Sequence, residues 1–278
     1  MSPLVLGMVL LSAVLHATWN AIAKAIPDRM VAAAWFGAVA VVCGAVGVFA
    51  LPAPTAAAWP FLVGSAVLQV GYVLLLTAAY ALGEFSRVYP LARGLSPVLV
   101  TVVAVGVLGE QLTGAELAGI AVVCAALGTL VFARGVPQRG DGLGLAALTG
   151  VTIAGYSLLD GVGVQRSGSV FGYTAWLFLL HGSLLLVVAR LADGPGLATR
   201  AAAFVRPGLA GGVLTVVAYG IVLWAQSFGN LAIVAAVRET SVLFAGLIGA
   251  VFFHERQTGT RAVALVLAFA GIVLLRLG

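Results

Sequence analysis

Ten apolar runs set the terms for this chain, each about as long as the roughly 20 residues a helix needs to cross about 30 Å of hydrocarbon. They fall at residues 3–23, 31–51, 60–82, 87–108, 116–133, 143–164, 170–190, 208–227, 231–253 and 261–277. In lipid a segment must satisfy its own backbone N–H and C=O groups, so each run is expected to be a helix. The expected fold is an all-α integral membrane protein with ten transmembrane helices. Composition leaves no soluble alternative: 62% of the 278 residues are hydrophobic and 8% are charged, against about 25% charged in soluble domains.

The separators are short and carry turn chemistry, as in Pro27-Asp28-Arg29, Pro52-Ala53-Pro54 and Asp193-Gly194-Pro195-Gly196, so successive helices are expected to be antiparallel neighbours. The first run opens without a basic leader or a small-residue cleavage site and reads as a retained helix. The 36 glycines read as close helix packing in lipid. Trp35, Trp59 and Trp176 stand near span ends as interfacial anchors. Fourteen Lys and Arg are scattered singly, which argues against a nucleic-acid partner. Cys43 and Cys124 lie inside apolar runs, and His181 and His254 are isolated, so neither a disulfide nor a metal site is expected. No cofactor is expected, and no GxxxxGK[ST], HExxH or GxSxG motif is present to make the chain an ATPase or an enzyme.

Sliding the chain on itself by 145 residues superposes Arg93 on Arg238, Ser96 on Ser241, Glu110 on Glu255, Thr113 on Thr258 and Gly114 on Gly259. Nearby registers pair Gly83 with Gly229, His16 with Tyr156 and Asn20 with Asp160. The chain therefore divides into two five-helix repeats, residues 1–136 and 137–278. An odd number of helices per repeat inverts the second relative to the membrane. Inverted repeats of this kind are used by secondary transporters, with the substrate site near the midplane between them.

The run Gly83-Glu84-Phe85-Ser86-Arg87-Val88-Tyr89-Pro90-Leu91-Ala92-Arg93-Gly94-Leu95-Ser96-Pro97, with Gly109-Glu110, His16-Ala17-Thr18-Trp19-Asn20 and Arg238-Glu239-Thr240-Ser241, resembles the EamA branch of the drug/metabolite transporter superfamily over essentially the whole chain. The resemblance implies two five-helix repeats and transport by alternating access without ATP hydrolysis. It names no substrate, since members are associated with amino acids, other metabolites and nucleotide sugars.

Ionisable groups inside spans are costly and mark candidate sites. Arg93 and Arg238 occupy matching places about 10 Å inside their helices and could grip an anionic group, or could be tied to carboxylates that merely join helices. Glu239 could balance either arginine through a neighbouring helix; adjacent helical positions point about 100° apart, so it need not pair with Arg238. Glu239 and Asp160 are the candidates for carrying a coupling proton. His16 and Asn20 share a helical face beside Trp19, as Tyr156 and Asp160 do in the sixth helix, and suit a cavity wall or interhelical hydrogen bonds equally. Tyr89 and the third-helix stripe holding Gln69 and Tyr72 complete the substrate-binding candidates, although such a stripe, like Tyr219, Trp224 and Gln226 in the eighth helix, more often packs. Pro90 and Pro97 are expected to bend the fourth helix, while the ninth lacks both.

The function expected is secondary transport of a small polar metabolite, anionic or zwitterionic, coupled to protons or counter-substrate. Export of amphipathic or cationic drugs is the alternative, and a membrane-embedded enzyme a weaker one. The partners expected are substrate and lipid, with the chain a monomer or weak homodimer in a bacterial cytoplasmic membrane. Lys24, Arg29, Arg87, Arg134, Arg139, Arg190, Arg200, Arg206, Arg256 and Arg261 fall in odd-numbered loops, against Arg166 and Arg276 elsewhere. That bias places both termini outside, whereas the resemblance implies both inside.

Overall fold

A computed structural model describes residues 1–23, 26–82, 85–132, 142–252 and 259–278, without the side chains at 80–81, 85–87, 89–90, 132, 246, 249–252 and 261. Among them the structure is all-helical: α1 (Pro3–Ala23), α2 (Arg29–Ala50), α3 (Trp59–Leu82), α4 (Phe85–Gly106), α5 (Gly114–Phe132), α6 (Leu143–Arg166), α7 (Val170–Asp193), α8 (Leu197–Ala202), α9 (Val205–Gln226), α10 (Leu231–Glu239), α11 (Ser241–Phe252) and α12 (Gly259–Leu277). Helices α1, α2, α3, α5, α6, α7 and α9 are long and apolar enough to cross a membrane, and α4 and α12 contain the shorter apolar stretches Leu91–Gly106 and Ala262–Leu277. Their outer faces expose residues such as Phe49, Val102, Phe171 and Phe269, which lipid solvates.

The helix starts follow local chemistry. Asp28 accepts the Met30 and Val31 amides at 2.9 and 3.3 Å. Thr113 and Glu116 cap α5 reciprocally, with Thr113 Oγ1 accepting from Glu116 N at 3.1 Å and Glu116 Oε2 from Thr113 N at 2.9 Å. The start of α10 is capped from a distance. Asn230 enters it in the left-handed conformation at φ 58° without a side-chain cap. Instead Glu110, on the turn after α4, accepts the Leu231 amide at 2.6 Å and the Ala232 amide at 3.3 Å. A carboxylate on open amides at a helix N-terminus is stabilising. Glu110→Ala is expected to cost about 1–2 kcal/mol, read as a lower melting temperature in detergent; an unchanged melt would refute the cap. Glu255, which the 145-residue shift sets on Glu110, lies outside the described residues, as does His254.

Small residues set the tightest crossings. A Cβ at Gly44 of α2 would lie 2.5 Å from Leu179 N and 2.7 Å from Ala175 O of α7, and one at Gly182 would lie 2.7 Å from Gly37 O. Helices α5 and α12 meet the same way, Gly119 against Gly271. Further, α3 packs on α6, α9 on α1, and α4 on α6, while α1 also meets α10 and α11. All nine residues of α10 are buried; it sits in a core with Val9, Ala104, Val123 and Val222.

One expectation shifts: the expected ninth helix stops at Thr240 and resumes at Ser241, while α4 runs unbroken through Pro90 and Pro97. Of the interfacial tryptophans, Trp35 donates from Nε1 to Ala201 O at 3.0 Å, and Trp59 and Trp176 meet edge to face at 5.0 Å.

Candidate functional site

The interruption at Thr240 delivers polar groups into the bundle. Helix α10 ends on Arg238 and Glu239, α11 begins with Ser241, and the Thr240 hydroxyl turns back to Val237 O at 2.6 Å. Arg93 reaches the same place from α4. Its Nε lies 2.8 Å from Glu239 Oε2, its Nη2 donates to Ser241 Oγ at 3.1 Å, and the same nitrogen is 2.7 Å from His16 Nε2 of α1. Arg238 holds Glu239 Oε1 through Nη2 at 3.1 Å and Nε at 3.3 Å, and donates to Ser157 Oγ of α6 at 3.1 Å. Arg93, Arg238 and Glu239 are 2%, 3% and 0% exposed. At such burial unpaired charges are prohibitively costly, so the shared carboxylate is what makes the cluster tenable. Glu239 thus pairs with both arginines, its sequence neighbour included.

A second cluster lies one turn along α6. Asp160, wholly buried, accepts from Tyr173 of α7 at 3.0 Å, from Gln69 of α3 at 3.2 Å and from the Tyr219 hydroxyl of α9 in a short hydrogen bond. Gln69 also donates to Ser65 Oγ at 3.0 Å. Four helices therefore converge on one carboxylate. Tyr156 joins the clusters: the Arg238 guanidinium carbon stands 5.8 Å from its ring centre, within cation–π reach, and the rings of Tyr72 and Tyr219 lie edge-on to it at 6.0 and 6.2 Å.

On α1, His16 meets Trp19 edge to face at 4.9 Å, and Trp19 meets Phe36 at 5.4 Å. The Trp19 Nε1 is buried without a hydrogen-bond partner among the described residues, a donor that a ligand could satisfy. Asn20 does not join the cluster; its amide folds back to His16 O at 2.8 Å. The Tyr89 side chain lies outside the described residues. The sequence-chosen residues Arg93, Arg238, Glu239, His16, Tyr156, Asp160, Tyr72 and Gln69 all enter one continuous polar and aromatic seam. Ser157, Tyr173, Ser241 and Tyr219 belong to it as well. Of these, Ser241 stood out in the sequence as the match of Ser96, and Tyr219 in a stripe that reads as packing. Among the described residues no three His, Cys, Asp or Glu side chains gather as metal ligands would.

Residues 141–277 match the model of the EamA-like transporter family. No curated protein matches the chain. Among solved structures, one described only as the crystal structure of a protein superposes with a TM-score of 0.72, covering 99% of this chain and 96% of its own at 20% identity; at that identity the likeness shows a shared fold. Seven helices among the described residues are able to cross a membrane, which makes the chain an integral, multi-pass membrane protein, and its residues 141–277 belong to the EamA-like transporter family, within the drug/metabolite transporter superfamily.

Proposed function

We propose that the chain is a secondary active transporter that moves a small polar metabolite bearing an acid group, by alternating access between two inverted five-helix repeats. On this reading the ten crossings are α1 to α5 in the first repeat and α6, α7, α9, α10 with α11, and α12 in the second. The packing supports it. Exchanging the repeats turns the α3–α6 contact into α9–α1 and the α4–α6 contact into that of α1 with α10 and α11, and it returns the α2–α7 and α5–α12 crossings to themselves.

The observation that carries the proposal is the meeting of Arg93 and Arg238, repeat-related residues on α4 and α10, around a single buried carboxylate. Two guanidinium forks converging on one place form a seat suited to an anionic group in a low-dielectric site. Asp160 is the carboxyl placed to accept a coupling proton, with counter-substrate as the other source of drive. The membrane is a bacterial cytoplasmic membrane, and the chain works as a monomer or weak homodimer. Export of a cationic amphiphile is the second reading; it would draw on Asp160 with the rings of Tyr72, Tyr156 and Tyr219.

Reconstitution tests the proposal. Liposomes carrying the protein are expected to show saturable uptake of a labelled metabolite carboxylate, stimulated by the same compound inside. Arg93→Ala and Arg238→Ala should each lower it by at least about 100-fold, as loss of a charge-assisted pair does. Linear, unsaturable flux would mean a pore, and full uptake in both variants would refute the arginine site.

A further inference from the structure

One carboxylate serves two guanidiniums because the repeats differ at that point. The register that places Arg93 on Arg238 and Ser96 on Ser241 places Gly94 on Glu239, so the second half alone supplies an anion. Glu239 fills that post incompletely. Its Oε1 takes both Arg238 contacts, at 3.1 and 3.3 Å. Its Oε2, although 2.8 Å from Arg93 Nε, accepts no hydrogen bond among the described residues: the charges touch, but the N–H is not aimed at the oxygen. A buried carboxylate has room for about four hydrogen bonds, and a free one could orient where a tethered one cannot.

We propose that Glu239 is a resident stand-in for the acid group of the substrate. Arg93 and Arg238 form a carboxylate seat that Glu239 fills while the carrier is empty and shares with the carboxylate of the substrate when it is loaded. The inference rests on the carrier reading above and narrows its substrate class to compounds with a free carboxylate, the group whose shape and charge match the resident one. It also explains how an empty carrier can complete its return. Without Glu239 the two buried guanidiniums would lose the carboxylate they share; with it, the vacant site keeps that partner.

The test empties the seat and offers acetate as the missing side chain. Full-length Glu239→Ala in detergent is expected to melt roughly 10 °C below the parent. Sodium acetate should restore most of that drop where sodium chloride at equal ionic strength does not, and the parent should respond far less. Adding Arg93→Ala should erase the acetate response, and Glu239→Asp, which keeps the charge, should be indifferent to acetate. A parent as responsive as Glu239→Ala, or chloride as effective as acetate, overturns the proposal. Should Glu239→Ala yield no folded protein, Glu239→Gln takes its place: acetate is expected to raise its melting temperature above that in chloride, and no difference between the salts overturns the proposal equally. No transported substrate enters this experiment. Failed rescue therefore leaves the uptake result standing, and failed uptake leaves the rescue standing.

Discussion

Asp160→Leu is expected to lower the melting temperature of the purified protein by roughly 5–15 °C, for about 2–6 kcal/mol of lost stability. The lower bound takes each lost interhelical hydrogen bond at its modest worth in a membrane protein. The upper bound counts the buried donors left with nothing to bond. Three donors lose this acceptor at once, Gln69 on α3, Tyr173 on α7 and Tyr219 on α9; Gln69 keeps Ser65 Oγ, and leucine offers the two tyrosine hydroxyls no acceptor. Asp160→Asn keeps an acceptor oxygen and nearly the same volume. It should melt within a few degrees of the parent while losing uptake driven by a pH gradient, which separates the structural part played by the carboxyl from the coupling proposed for it. A leucine variant as stable as the parent would mean the convergence on Asp160 contributes nothing.

Gly44→Leu should be comparably damaging for a different reason. A Cβ at that position meets Leu179 N and Ala175 O, which are backbone atoms of α7 and cannot turn aside as a side chain would. Any side chain therefore pushes α2 off α7 at a crossing that Gly37 and Gly182 also keep close. Overpacking of this kind costs about 3 kcal/mol or more, a drop of roughly 10 °C, measurable by heating in detergent and counting the monodisperse fraction. Gly7→Leu is the control, because nothing lies within 4 Å of a Cβ there; equal melting of the two variants would remove the packing explanation.

Much of the helical layout could be read from the chain because lipid imposes one simple rule, an apolar run of sufficient length. The helix ends lie within about three residues of the runs except at Thr240. No proline or glycine marks that interruption. It coincides with Arg238, Glu239 and Ser241 being drawn onto α4 and α6, contacts that no local pattern encodes. Pro90 and Pro97, which do carry a local signal, leave α4 continuous. At the site the ionisable residues were visible because charge within a span is rare. Tyr173 and Tyr219 were not, because a tyrosine among apolar neighbours looks like packing until its hydroxyl is seen on Asp160. Nor could spacing foretell that Asn20 would bond its own helix while Asp160, with which the sequence register pairs it, gathers three others.

The remote cap on α10 has a mechanical consequence. Glu110 grips the first residue of this short rod, and Arg238 and Glu239 ride on its last two, about 12 Å away along the axis. Whatever tilts the turn between α4 and α5 therefore swings the far end of a lever, moving Arg238 relative to Arg93 without any side chain in between having to change its rotamer.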